Sequence, residues 1–243
     1  MMKSLLTLLI LMFASALIKA ETYVVCVGIG NYAHPKIKDL NKTENDAKAI
    51  AEFYKKGTRN VITITGKYAT KSQILKALRS QFSQASANDR IIFYFSGHGY
   101  PGGFAPYDMV PRQDGLTYQE IVEIMNESEA REKLVFADAC NSGALRRHNF
   151  SSPGNVNLLF FLGSRGNENS IESIYLINGI FTRYLLRGLG GGADKDGDRK
   201  ITASELFQYV NSNVRNHTHG EQHPVMWGKF DNDMVIVEYK KTK

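Results

Sequence analysis

The chain has 243 residues, 43% of them hydrophobic and 11% aromatic, with a formal net charge of +6. That is enough apolar material for one full-sized core, and neither an internal repeat nor a Pro/Ser/Gly-rich linker argues for two domains. Lysines and acids are interspersed rather than gathered into a basic stripe, which argues against a nucleic-acid partner.

The first twenty residues, MMKSLLTLLILMFASALIKA, carry Lys3 near the start, an apolar run from Leu5 to Phe13, and small residues at Ala14, Ala16 and Ala20. This is the pattern of an export signal, too short for a comfortable bilayer span. The reading is a signal peptide over 1–20, one folded domain over 21–243, and a periplasmic or extracellular product with no stable membrane anchor. Loss of Lys3 and Lys19 with the signal leaves a net charge of +4. The two cysteines would meet a compartment that permits disulfides. Against a Cys26–Cys140 bridge, Cys26 lies in mid-strand and Cys140 beyond the end of a different strand.

TYVVCVGIG (22–30) is a continuous apolar run of strand length, and TENDAKAIAEFYKKG (43–57) follows with helical spacing at Ala47, Ile50, Ala51 and Tyr54 before the Gly57 stop. VITIT (61–65) reads as a second strand, Thr70 and Gln73 as a capping box ahead of a helix to Phe82, and RIIFYF (90–95) as a third strand. Thr117 and Glu120 cap TYQEIVEIM, and KLVFAD (133–138) is a fourth strand. VNLLFFLG (156–163) and VIVEY (235–239) would extend the sheet, with helices near 170–187 and 203–215 between them. Strands apolar on both faces and separated by amphipathic helices mean a mostly parallel sheet covered on both sides. The predicted fold is a three-layer α/β/α sandwich with a central sheet of about six strands.

In open parallel sheets, ligands bind beyond the carboxyl ends of the strands. His98 follows the third strand, in SGHG, and Cys140 follows the fourth, in DACNSG. If these strands are neighbours, an imidazole and a thiol emerge on one edge, each in a small, glycine-flanked turn. An imidazole beside a thiol favours the nucleophilic thiolate, and glycines offer N–H groups to a developing oxyanion.

SGHG and DACNSG, in this order and with the histidine 42 residues before the cysteine, resemble the motif pair of the caspase and metacaspase clan of cysteine endopeptidases. The resemblance covers nearly all of the mature chain and implies a caspase-like fold. It also implies Cys140 as nucleophile, His98 as acid/base, and the N–H groups of Gly99 and Cys140 as the oxyanion hole. Where caspases have Gln in QAC, this chain has Asp138. A buried acid is costly unless a cation pairs with it, and a substrate Arg or Lys could be that cation. This is similar to the metacaspase branch, whose acidic S1 pocket selects basic P1 residues; matching that pattern, Asp46 and Ser96 join Asp138 as expected S1 residues.

ADKDGDRKITASEL places Asp194, Asp196, Asp198, Lys200, Thr202 and Glu205 at the spacing of an EF-hand loop, with Asp194, Asp196, Asp198 and Glu205 as candidate calcium ligands. Its glycine stands at Gly197, however, and Arg199 occupies the turn position where glycine belongs; Thr202 and Glu205 also form a capping box. His217, His219 and His223 could in principle bind a transition metal but read as a solvated loop. Arg146 and Arg147, just after the cysteine, would suit self-cleavage by an enzyme that prefers basic residues.

The functional expectation is an exported cysteine endopeptidase that cuts protein or peptide substrates after Arg or Lys, with no cofactor required, calcium as an optional ligand, and a monomer assumed. A calcium-dependent binding module without turnover, or a clostripain-like or transpeptidase relative, is the alternative.

Overall fold

The computed structural model describes residues 20–113, 115–139, 157–164 and 178–240. Residues 1–19, Cys140, Arg146 and Arg147 lie outside the described residues, so the signal peptide, the expected nucleophile and the proposed self-cleavage site rest on sequence.

In chain order the first half contains β1 (Thr22–Gly28), α1 (Thr43–Lys55), β2 (Val61–Thr65), α2 (Lys71–Phe82) and β3 (Arg90–Gly97). A small antiparallel sheet follows, made of β4 (Gly99–Tyr100), β5 (Gly103–Phe104) and β6 (Leu116–Thr117), then α3 (Tyr118–Glu127) and β7 (Glu132–Ala139). The second half has β8 (Asn157–Leu162), α4 (Ile180–Arg187), β9 (Lys200–Thr202), α5 (Ala203–His217), β10 (Val225–Lys229) and β11 (Val235–Glu238).

The central sheet has six strands in the order β10-β8-β7-β3-β1-β2; β10 is antiparallel to its neighbour and every other pair is parallel. The alternation of β strands sorts their side chains onto two faces. Val25, Val27, Phe93, Phe95 and Val135 pack with Ile74, Leu78, Ile121 and Met125 of α2 and α3. Val24, Cys26, Ile92, Tyr94, Leu134 and Phe136 pack on the other side with Ala47, Ile50, Leu185, Leu206 and Val210 of α1, α4 and α5. Cys26 is a free thiol buried within that second layer, as its mid-strand position required.

One strand assignment is corrected. Val235–Glu238 does not extend the central sheet; it pairs with β9 in a separate ribbon, and the sixth strand is Val225–Lys229, antiparallel to β8. Val225 and Met226 are only partly buried and Trp227 edges onto Phe160 at 5.0 Å, so this strand lacks the doubly apolar look of the inner ones. The Thr70 cap forms in one direction, its hydroxyl accepting from Gln73 N, whereas Thr117/Glu120 and Thr202/Glu205 make reciprocal boxes.

The inner strands aim the functional edge. β3 and β7 are in register at Ser96 with Asp138 and Gly97 with Ala139, so the two strands end at one level. Phe95 stacks on Phe104 at 4.4 Å and 16°, and Phe104 pairs with Gly99, which fixes the hairpin beyond His98 against the core. Phe104→Ala should therefore cost about 3–5 kcal/mol in denaturant unfolding, because it empties a fully buried site against Phe95 and loosens the hairpin at Gly99.

Candidate active site

His98 leaves β3 at the lip of the sheet, where two residues of the loop after β1 position it. The Tyr32 hydroxyl accepts from His98 N at 2.8 Å, and the Tyr32 ring lies 5.1 Å from the imidazole, tilted 41°. The carbonyl of Lys38 is 2.6 Å from His98 Nε2. A carbonyl can only accept, so Nε2 carries the proton and Nδ1 is the ring nitrogen that remains able to take one. Gly97 is needed for this arrangement: a Cβ there would lie 3.0 Å from the Tyr32 hydroxyl and 2.9 Å from Cζ of Phe95.

The next residue has an oriented amide. Ala105 N donates to His98 O at 2.8 Å, which makes Gly99 and Phe104 a non-hydrogen-bonded pair of the hairpin ladder. The N–H of Gly99 therefore points away from its partner strand, the orientation an oxyanion donor requires.

Below this lip the structure brings Asp46, Ser96 and Asp138 together in the interior; they are 1%, 1% and 7% exposed. Asp46, in the first turn of α1, accepts at Oδ2 from Ser96 Oγ (2.9 Å) and at Oδ1 from Asn178 Nδ2 (2.9 Å) and Gly179 N (3.0 Å). Asp138 Oδ2 accepts from both the N–H (3.1 Å) and the hydroxyl (2.8 Å) of Thr182. Both carboxylates thus sit at the amino end of α4, where free N–H groups and the helix dipole favour negative charge. A Cβ on Gly179 would stand 2.4 Å from Asp138 Oδ2 and 3.1 Å from Asp46 Oδ2, so the two acids flank one point of backbone.

Burial, and then the nearby Asp138 charge, push the Asp46 carboxyl up to about 7, against the pull of three neutral hydrogen-bond donors. Among the described residues, no cation is among the groups that set it.

The caspase-domain family profile matches residues 23–234, nearly the whole described chain. The chain belongs to that family. A crystal structure of a protein from Geobacter sulfurreducens superposes with a TM-score of 0.64 at 19% identity, over 86% of this chain and 93% of that one, a likeness of fold. No curated protein matches the sequence.

Membership makes this a cysteine-peptidase type of domain and explains why an imidazole, an oriented amide and a recessed acidic pair share one edge. Of the predicted site residues, His98 and Gly99 form the lip and Asp46, Ser96 and Asp138 the recess, while Cys140 follows Ala139 in the chain. Sequence reasoning missed Tyr32, Lys38, Asn178, Gly179 and Thr182. They come from segments remote in the chain, and Lys38 acts through its backbone, which leaves no side-chain signal.

At the acidic loop, carboxylate oxygens of Asp194, Asp196 and Asp198 lie within 4.8 Å of one another, and Arg199 adopts the left-handed φ of 71° that an EF-hand turn takes with glycine. Glu205 is not in that group: its Oε2 closes the cap with Thr202, and its Oε1 accepts from Lys195 N at 3.3 Å. His217, His219 and His223 do not converge into a ligand cluster; His217 Nδ1 instead meets the Tyr184 hydroxyl at 3.2 Å.

Gly179→Ala tests the recess. The added methyl cannot fit beside Asp138, so the variant should unfold at a Tm lower by several degrees, as thermal unfolding would show.

Proposed function

We propose that the protein is an exported cysteine endopeptidase that cleaves after Arg or Lys, using Cys140 as nucleophile and His98 as acid/base. The observation that supports this specificity is the pair of buried carboxylates, Asp46 and Asp138, the second of them in register with Ser96, two residues before His98. An acidic P1 residue would add a third negative charge to that recess. A guanidinium or ammonium provides the countercharge and can bond to both acids. The reading of the leader supports export, with the Ala20–Glu21 bond as the processing site.

In the reaction, Nδ1 of His98 takes the proton of the Cys140 thiol, and the thiolate attacks the scissile carbonyl. The N–H of Gly99, joined by that of Cys140, holds the oxyanion. His98 returns the proton to the leaving amine, and water then hydrolyses the acyl-enzyme with His98 as base. Lys38 O keeps the imidazole in the tautomer this requires and stabilises its charged form. Thiol acyl transfer needs no metal. Calcium is assigned no step here: Asp194, Asp196 and Asp198 are the hard oxygen ligands that would hold it, and its contribution would be to the entry into α5.

The charge on Asp46 gives the proposal a pH signature. Its carboxyl titrates near 7 in the folded protein, against 3.8 ordinarily. Between these values the folded state keeps a proton that the unfolded state has lost, so stability falls as pH rises through this window. Capture of a cation runs the other way, strengthening as Asp46 ionises. For a peptide with Arg at P1, kcat/KM should rise with pH through about 7, and a matched Asp-P1 peptide should not be cut. Asp46→Asn should reduce kcat/KM for the Arg peptide at least 100-fold while making the Tm less sensitive to pH between 5 and 8, as fluorogenic assays and thermal unfolding would show. Cleavage after Asp, or turnover that survives Cys140→Ala, would refute the proposal.

A further inference from the structure

At the start of β1 the backbone of Glu21 is gripped by one short stretch of chain. Its N–H donates to Asp89 Oδ1 at 2.8 Å, and its carbonyl accepts from Arg90 N at 2.9 Å. Asp89 is fixed in a turn of its own. Oδ2 accepts from the N–H (2.8 Å) and the hydroxyl (2.7 Å) of Ser86, while Asp89 N donates to Ser86 O at 2.9 Å. The Asp89 carbonyl accepts from Arg131 N at 3.0 Å, which ties this turn to the approach to β7. The carboxylate is thus in place independently of Glu21, whose N–H is its one partner from outside the turn among the described residues.

Asp89 is 5% exposed, yet its three donors are neutral, and among the described residues no ion pair reaches it. A shielded carboxylate is ordinarily paired, and a cationic donor binds such an oxygen more strongly than a neutral one. Leader removal would supply that cation in place. Hydrolysis of the Ala20–Glu21 bond by a leader peptidase adds one water across it: the leader departs with a carboxylate on Ala20, and the nitrogen of Glu21 becomes an amine that takes a proton at neutral pH. Ala20 is exposed, so the bond is at the surface, while the nitrogen it would release already lies at hydrogen-bonding distance from Asp89.

We propose, resting on the export reading and on that processing site, that Asp89 is the docking site of the mature amino terminus. The α-ammonium of Glu21 takes the place of the amide N–H at Oδ1, so leader removal turns a neutral hydrogen bond into an ion pair that pins the start of β1. This strand pairs with β3 from Thr22 with Arg90 to Gly28 with Ser96, and it leads into the loop whose Tyr32 and Lys38 hold His98. The precursor lacks the ion pair, and the fold reaches its full stability only once the leader is gone.

The charges around the terminus are few. On its own side stand Asp89, the Glu21 carboxylate and Tyr23, whose phenol is raised by burial and then by those two acids. Across an adjoining pocket of about 410 Å³ stand Lys56, Glu238, Tyr239 and Arg90, the last engaged by Glu132. Burial pushes the Asp89 carboxyl up, but the Glu21 N–H and the two Ser86 donors outweigh it and hold it below the usual range. It is therefore ionised wherever the amine titrates, and it raises the pKa of an amine facing it. The resulting stability is complete below about 7.7–8.0, the range of a free α-amine, and is lost as pH rises through the raised value.

Protein purified from an exporting host should have an intact mass that begins at Glu21. Thermal unfolding at pH 6.5 then compares the chain from Glu21, which keeps every element from β1 to β11, with the same chain preceded by Gly-Ser. The free terminus should melt about 2–4 °C above the extended one, and the gap should close above roughly pH 9. Asp89→Asn should lower both forms through the Ser86 turn but abolish the gap between them, which a merely structural Asp89 would leave intact. With Glu21 labelled with nitrogen-15, the amine should titrate at least about half a pH unit above a free α-amine and return to that value in Asp89→Asn. Equal melting of the free and extended chains, or a gap that survives Asp89→Asn, overturns the proposal. A mature mass that begins at another residue overturns the processing site instead, and the chains of defined terminus still decide whether Asp89 takes the ammonium.

Discussion

Two carboxylates buried side by side are the constraint around which the rest of this site is arranged. Each would lose several kcal/mol on leaving water without compensation, and at short range each disfavours ionisation of the other. The fold answers with the amino end of α4: Asn178 and Gly179 serve Asp46, Thr182 serves Asp138, and the helix dipole favours both. The glycine at the helix entrance follows from the same need, because any side chain there would occupy the space between the acids.

That arrangement links recognition to stability. Two acids held this close raise the cost of ionising either one in the folded protein, and the basic side chain of the proposed substrate would relieve it on binding. The histidine above it is governed by different contacts, from Tyr32 and Lys38, so the imidazole and the acidic recess are held by separate segments. The parallel register of β3 and β7 connects the two, setting Ser96 beside Asp138 and ending both strands at one level, at Gly97 and Ala139.

Much of this was legible in the sequence, for physical reasons. Inner strands such as RIIFYF and KLVFAD are apolar on both faces and announce a covered parallel sheet. Motifs that follow such strands inherit a common edge, which is why His98 and Cys140 could be grouped from the sequence, while Gly99, Ser96 and Asp138 took their expected roles from the family resemblance. Asp46 was found only through family resemblance, because an acid in a first helical turn is ordinary. The edge strand at Val225–Lys229 was missed and Val235–Glu238 was put in its place, since half-buried strands at a sheet margin have no distinctive pattern. Partners supplied by backbone, such as Lys38 O, or across more than a hundred residues, such as Asn178, leave no local trace.

The central claim is that Asp46 and Asp138 together receive a basic P1 side chain in front of a Cys140 nucleophile. A crystal structure of the protein inactivated by an arginine-directed covalent inhibitor tests it most directly. The account predicts a bond from the inhibitor to Sγ of Cys140 and the guanidinium within hydrogen-bonding distance of both carboxylates. A guanidinium lying in solvent, or an inhibitor bonded to any other residue, would contradict it.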